Sequence, residues 1–262
     1  MVVVQIPIIL SSDINNGALN VSADGSSFEI ALDNGIIVPK SAKYCWLTCQ
    51  SATIWNTSPN IVTDVNDKLY YTDGMGALLI TIPQGLYDVD LLNIEINRQI
   101  LESGRSTNSI VIYGNYATQK TTIQLLSIGS SIDFTPADTI RGILGFNSQI
   151  IGPSVSAEEN FDSNNVAAFN NIEYFVLHTD LVSYGLRTNN KYTQAVAQVL
   201  IEADPGSQIA HQPNNPPEIS CTELIGLKKN NIRVWLTDQA NNLVNTAEET
   251  YSMRLVIYYE IS

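Results

Sequence analysis

Positive charge is scarce in this sequence. Thirteen Lys and Arg stand against 26 Asp and Glu, a formal net charge of −13, and the only basic pair is Lys228-Lys229. Binding to a nucleic-acid backbone rests on clustered Lys and Arg, so the balance argues against direct, sequence-specific nucleic-acid recognition. Histidine is scarcer still, with two. His178 closes an apolar strand and reads as an interior or rim residue, and His211 lies in a Pro/Asn loop with no acid or cysteine at ligand spacing. Metal chemistry in a β-structure needs several histidines and a carboxylate converging on one ion, which this chain does not supply. Cysteine is present in an odd number, three, which is no disulfide framework. Cys45 and Cys49 share a strand face about 13 Å apart at roughly 3.3 Å per residue, too far for one disulfide or one zinc. They read as small buried hydrophobes in a protein made in a reducing compartment.

Long apolar runs are missing too. No stretch of about 18 apolar residues exists, so no membrane span is expected. The opening Val2 to Leu10 is apolar but has no positive n-region, and Pro7 interrupts it, so it reads as an N-terminal arm or first strand rather than a signal peptide. Catalytic signatures are absent: no G-x-S-x-G, P-loop, G-x-G-x-x-G or H-E-x-x-H occurs. Gly74-Met75-Gly76 is a turn because a strand follows it. Neither Asp64-Val65-Asn66-Asp67 nor Asp88-Val89-Asp90 completes a calcium ligand set. Glu158-Glu159 and Glu248-Glu249 read as solvated pairs. No catalytic, cofactor-binding or metal residue is assigned, and no enzyme is expected.

What is present is strand. Phe28 to Leu32, Lys43 to Trp55, Ile110 to Tyr113, Thr121 to Leu125, Ile172 to His178, Ala195 to Ile201, Ile232 to Leu236 and Tyr251 to Tyr259 are rich in β-branched or aromatic residues. In the last, Tyr251, Met253, Leu255, Ile257 and Tyr259 alternate with Ser252, Arg254, Val256 and Tyr258, the period of a sheet buried mainly on one side. Lys43 to Trp55 is long enough to predict a bend or bulge. Asp67 to Gly104 stands apart: a hairpin turning at Asp73 to Gly76, then one helix near 88–103. Asp88 is its N-cap, Val89, Leu92, Ile96 and Ile100 form its apolar stripe, and Gly104 is its stop.

About eight antiparallel strands in two packed sheets with one amphipathic helix predict an all-β single jelly roll. The expected organisation is an arm and linker over 1–26 and a single domain over 27–262. The loops Gly152 to Asn171 and Ala203 to Pro217 are the only ones with room for an addition. Trp46, Trp55 and Trp235 all fall in strands, where core packing is the commoner fate.

Several segments together resemble the penton proteins of virophages and polinton-like viruses. They are Ser51 to Ile61 (SATIWNTSPNI), Asn66 to Tyr70 (NDKLY), Ile80 to Tyr87 (ITIPQGLY) leading into the helix from Leu91, Ala117 to Lys120 (ATQK), Asp138 to Phe146 (DTIRGILGF), Arg233 to Asp238 (RVWLTD) and Tyr251 to Tyr259. The resemblance implies a structural virion protein: a homopentamer at the fivefold vertex of an icosahedral capsid, made in the host cell interior and set beside a double-jelly-roll major capsid protein. A minor capsid or vertex spike jelly roll is the nearest alternative. From another class comes a carbohydrate-binding jelly-roll module, which needs exposed aromatics in a groove. Fivefold closure needs two different patches on each subunit. An exposed apolar segment is a liability by itself, so Val2, Val3, Val4, Ile6, Ile8, Ile9 and Leu10 are the candidate partner-binding residues, reaching under a neighbouring subunit.

Overall fold

A computed structural model describes residues 2–106, 109–188 and 191–261. The chain first forms β1 (Val2–Ser11), β2 (Ala18–Leu19), β3 (Ser27–Ile37) and β4 (Ala42–Trp55). It continues through β5 (Lys68–Asp73), β6 (Gly76–Thr81), α1 (Val89–Glu102), β7 (Ile110–Asn115), β8 (Lys120–Leu125), β9 (Ser131–Asp133), α2 (Arg141–Leu144), β10 (Ile150–Ile151) and β11 (Glu159–Asp162). It ends with β12 (Tyr174–Thr179), β13 (Arg187–Thr188), β14 (Lys191–Tyr192), β15 (Ala195–Leu200), β16 (Gln208–His211), β17 (Ile219–Ser220), β18 (Lys228–Thr237) and β19 (Ser252–Ile261). Two compact units result: Met1–Ser58 with Ile172–Ser262, and Pro59–Asn171.

The first unit is a jelly roll, and its strand pairing defines it. One sheet runs β1-β19-β4-β16, with β17 also on β4; the other runs β15-β12-β18-β3-β2. Counting principal strands in chain order, the first pairs with the eighth (β1, β19), the second with the seventh (β3, β18), the third with the sixth (β4, β16) and the fourth with the fifth (β12, β15), all antiparallel. That is one long hairpin wrapped into two sheets, the jelly-roll solution to burying two apolar sheet faces. The alternation along β19 does what its period predicts: Met253, Leu255 and Ile257 enter the core with Leu47, Cys49 and Ile54 of β4 and Ile232, Val234 and Leu236 of β18. The 14-residue β4 carries the irregularity its length predicts, where β19 shifts register between Arg254 and Leu255.

The second unit has its own core. Leu92, Ile96 and Ile100 of α1 pack with Leu69, Tyr71, Ile80, Ile110, Ile123 and Phe134. Its sheets run β10-β9-β5-β6 and β11-β8-β7. Buried Asn60 ties together the first and last parts of this unit: its Nδ2 donates to the Tyr87 carbonyl at 2.7 Å and the Phe169 carbonyl at 2.9 Å, while its Oδ1 accepts from Tyr87 N–H. The Asp88 carboxylate caps α1, accepting from Leu91 N–H at 2.7 Å. Asp88→Ala is therefore expected to cost this unit about 1 kcal/mol, seen as a lower urea midpoint.

The chain leaves the jelly roll after β4 and re-enters it at β12, so 59–171, a compact unit by itself, lies between the third and fourth principal strands. The hairpins Lys68–Thr81 and Ile110–Leu125 belong to that unit. The sequence hides the boundary because its two edges, Asn56 to Asn60 and Asn171, look like ordinary turn residues, and the strands on either side have the same β-branched character. The sixth principal strand, Gln208–His211, lies inside what reads as the Ala203 to Pro217 loop; it is short and buries only Ile209. The apolar start of the chain is a strand along the full length of β19, from Val2 opposite Ile261 to Ser11 opposite Ser252.

Candidate functional site

The outer face of the β1-β19-β4 sheet exposes several large apolar side chains and carries Arg254 and Glu260 beside them. Period-two alternation places it: where Leu255 and Ile257 point inward, Val256 and Tyr258 point out; where Cys45 and Leu47 point inward, Trp46 and Thr48 point out. Register puts Tyr258 opposite Trp46, and the two rings stack with centroids 5.5 Å apart and planes within 5°. Gln50 Nε2 donates to Thr48 Oγ1 at 2.8 Å and reaches Tyr258 Oη at 3.5 Å. Under this aromatic and amide layer Val256 and Thr48 are nearly sealed, both 4% exposed. Around it Val3, Ile9 and Tyr44 stand open to solvent.

β1 is the edge of this sheet, and the seven residues singled out from the sequence divide along it. Leu10 is core, 1% exposed; Val4, Ile6 and Ile8 are half-buried, the last two against the core; Val2, Val3 and Ile9 are exposed, Ile9 at 76%. Pairing with β19 turns the even-numbered side chains inward. Of the seven, Val3 and Ile9 therefore lie on the outer face, and Val2 is exposed on the other side, at the strand's end. Pro7 has no N–H to offer the open edge, which blunts strand addition there.

The tryptophans do not enter either core. Trp46, Trp55 and Trp235 are all half-buried, because each sits at an outward position of its strand. Beside Trp46 a cleft of about 300 Å³ is lined by Tyr44, Cys45, Glu218, Ser220 and Thr222. Trp235 stacks on His178 at 5.2 Å, and the Arg233 guanidinium carbon lies 5.8 Å from the Trp235 ring centroid. His178 is buried and its Nε2 lies 2.8 Å from Thr237 Oγ1. Burial alone lowers its pKa to about 4, so the ring is neutral at pH 7. With a threonine hydroxyl as its hydrogen-bond partner, it is a structural imidazole. Among the described residues no group of three or more His, Cys, Asp or Glu could hold a metal ion, and no helix is long and apolar enough to cross a membrane.

The second unit exposes apolar surface of its own. Leu91, Ile94 and Leu101 lie on the side of α1 away from Leu92, Ile96 and Ile100 and are exposed. Between them Arg98 bridges Glu95 at 2.6 Å and also Glu102. The sequence pattern finds the inner stripe and passes over this second one, whose members are interleaved with charge.

No family model and no curated protein matches this chain. Among solved structures it is similar to the crystal structure of the mavirus penton protein, at 12% identity and a TM-score of 0.46, over 99% of this chain and 100% of that one. It is also similar to a chain of the 3.5 Å cryo-EM structure of the Sputnik virophage, at 12% identity and a TM-score of 0.41, over 97% of each.

Proposed function

We propose that this chain is a structural virion protein, a penton whose copies close around the fivefold vertex of an icosahedral capsid. The observation that carries the reading is a complete jelly roll whose outer β1-β19-β4 face exposes apolar and aromatic side chains, joined to the sequence resemblance described above. Such side chains lose little on desolvation and offer large contact area. Fivefold closure is heterologous. The Val3, Ile9 and Tyr44 region supplies one patch, and the second lies elsewhere on the neighbouring copy. The major capsid protein of a double-jelly-roll shell is the outer partner in this reading, the virion vertex is the location, and the host cell interior is the place of synthesis. A vertex spike or minor capsid role would use the same surfaces.

Light scattering across a concentration series tests this. A fivefold multiple of 28.7 kDa is expected, and because each copy carries a formal charge of −13, closure should strengthen with ionic strength. The double variant Val3→Asp, Ile9→Asp changes exposed residues of an edge strand, so its unfolding free energy should fall by about 1 to 2 kcal/mol, with the monomer still folded, while the assembly falls to monomers. A wild-type mass of one chain at every concentration and salt, alone and with the major capsid protein, would sink the reading. One observation favours a second reading, carbohydrate binding: the cleft that sets Tyr44 and Trp46 beside Glu218, Ser220 and Thr222. A glycan array with no signal above background removes it.

A further inference from the structure

Two thiols that lie 176 positions apart in the chain meet inside the jelly roll. Cys45 Sγ and Cys221 Sγ are 3.2 Å apart, buried and unbonded to each other. The register explains the meeting. Ile219 faces Leu47 and Ser220 faces Trp46, so the next opposed pair is Cys221 with Cys45, and Cys221 N–H donates to the Cys45 carbonyl at 3.0 Å. Opposed residues of antiparallel strands have Cα atoms about 4.5 to 5.5 Å apart, within the roughly 4.4 to 6.8 Å span a disulfide accepts. Both side chains belong to the core cluster, so they point to the same side of the sheet.

We propose that Cys45 and Cys221 are a reversible disulfide site, which staples β17 to β4 when the protein passes from a reducing to an oxidising environment. The place needs a staple. The sheet edge beside β4 is broken in two: β16 pairs with Ala52 to Trp55, and β17, only Ile219 and Ser220, pairs with Trp46 and Leu47. Between them lie Pro213, Pro216 and Pro217, which have no N–H to extend a ladder. The link would close the chain from 45 to 221 into one loop, restricting the unfolded state strongly.

The chemistry balances with a low-molecular-weight disulfide as oxidant. The Cys45 thiolate attacks one of its sulfurs and expels a thiolate; the Cys221 thiolate then displaces the second from the mixed disulfide. The protein loses two electrons and two protons, and the oxidant leaves as two thiols. Both thiols are core residues, Cys45 2% and Cys221 0% exposed, so the oxidant reaches them through local opening of the short β17 edge. The hydrogen bond between the two sulfurs favours one thiolate in the pair and disfavours a second, so the step starts from whichever thiol ionises, taken as Cys45. Cys49 is the internal control: its Sγ meets only the Ser51 carbonyl at 3.7 Å, and burial pushes its thiol up to about 12.

This inference rests on the fold and is independent of pentamer closure. The test equilibrates the full chain with excess oxidised glutathione or with dithiothreitol, counts thiols in denaturant and maps the peptides. Three thiols are expected to fall to one, at Cys49, with a Cys45–Cys221 linked peptide, a raised melting temperature, and full reversal by dithiothreitol. Cys49→Ser should leave the loss unchanged and Cys221→Ser should abolish it. Three thiols remaining at every glutathione ratio, a link through Cys49, or linkage only between chains would overturn the proposal. The wild-type peptide map decides the matter even where a variant fails to fold.

Discussion

Phe28→Ala lowers the unfolding free energy by about 3 to 5 kcal/mol, read as a large fall in urea midpoint at constant slope. Phe28 is among the largest fully buried side chains and meets Tyr251 edge to face, ring centroids 5.4 Å apart. Around it two chain segments distant in sequence are pinned. Tyr251 Oη donates to the Ser26 carbonyl at 2.9 Å, and Tyr251 N–H donates to Ser12 Oγ at 2.9 Å. Ser26 leads into β3 and Tyr251 into β19, one strand from each sheet, so the ring fills the space where the two sheets are fastened. Tyr251→Phe is the contrast. It removes only the hydroxyl, and the Ser26 carbonyl keeps the bond from Leu236 N–H at 2.8 Å, so the cost should stay near 1 kcal/mol. Equal effects of the two substitutions would mean that the hydroxyl, not the packed ring, fastens the sheets.

Acidification from pH 7 to pH 5 should cost the jelly roll about 2 kcal/mol through His178 alone. In the unfolded chain this imidazole titrates at its ordinary 6.5; in the fold burial lowers it to about 4. Between those values the unfolded state holds the proton and the native state does not, so stability rises with pH there. The contribution is fully present above pH 6.5, shrinks as pH falls, and is lost by pH 4, a total of about 3 kcal/mol. The physical barrier to protonation is visible: the ring lies flat on Trp235, its Nε2 is held by Thr237, and the residue is 2% exposed. His178→Asn cannot titrate, so urea midpoints for that variant should lose this part of the pH slope. His211, whose pKa burial also lowers, adds to the slope with the same sign in both proteins and cancels in the comparison. An identical slope in wild type and His178→Asn would show that the imidazole protonates as readily folded as unfolded.

Local periodicity was enough for much of this protein. Asp88 with Val89, Leu92, Ile96 and Ile100 determines α1, because a cap and an apolar stripe depend on residues a few positions apart. The alternation from Tyr251 to Tyr259 determines which side of β19 enters a core, and the Asp73 to Gly76 turn determines the β5–β6 hairpin. The shortage of histidine and of basic residues likewise narrows the chemistry before any fold is known.

Tertiary structure decided the rest, because strand partners are chosen by contacts whose separation in sequence leaves no local trace. Val2 to Leu10 reads as an arm or a first strand, and only Ile261 to Ser252 opposite it decides between them; pairing then turns Leu10 into core and leaves Ile9 outside. Lys68 to Leu125 reads as more of the same sandwich until its core, built on α1, is found to be separate. Trp46 reads as core until Tyr258 is stacked on it at an outward position. Cys45 has no partner within its own strand and acquires one only when the chain returns at Cys221. The sequence by itself determined most of the long elements and the buried side of each; folding decided which strands share a sheet, and with that which apolar residues stay exposed.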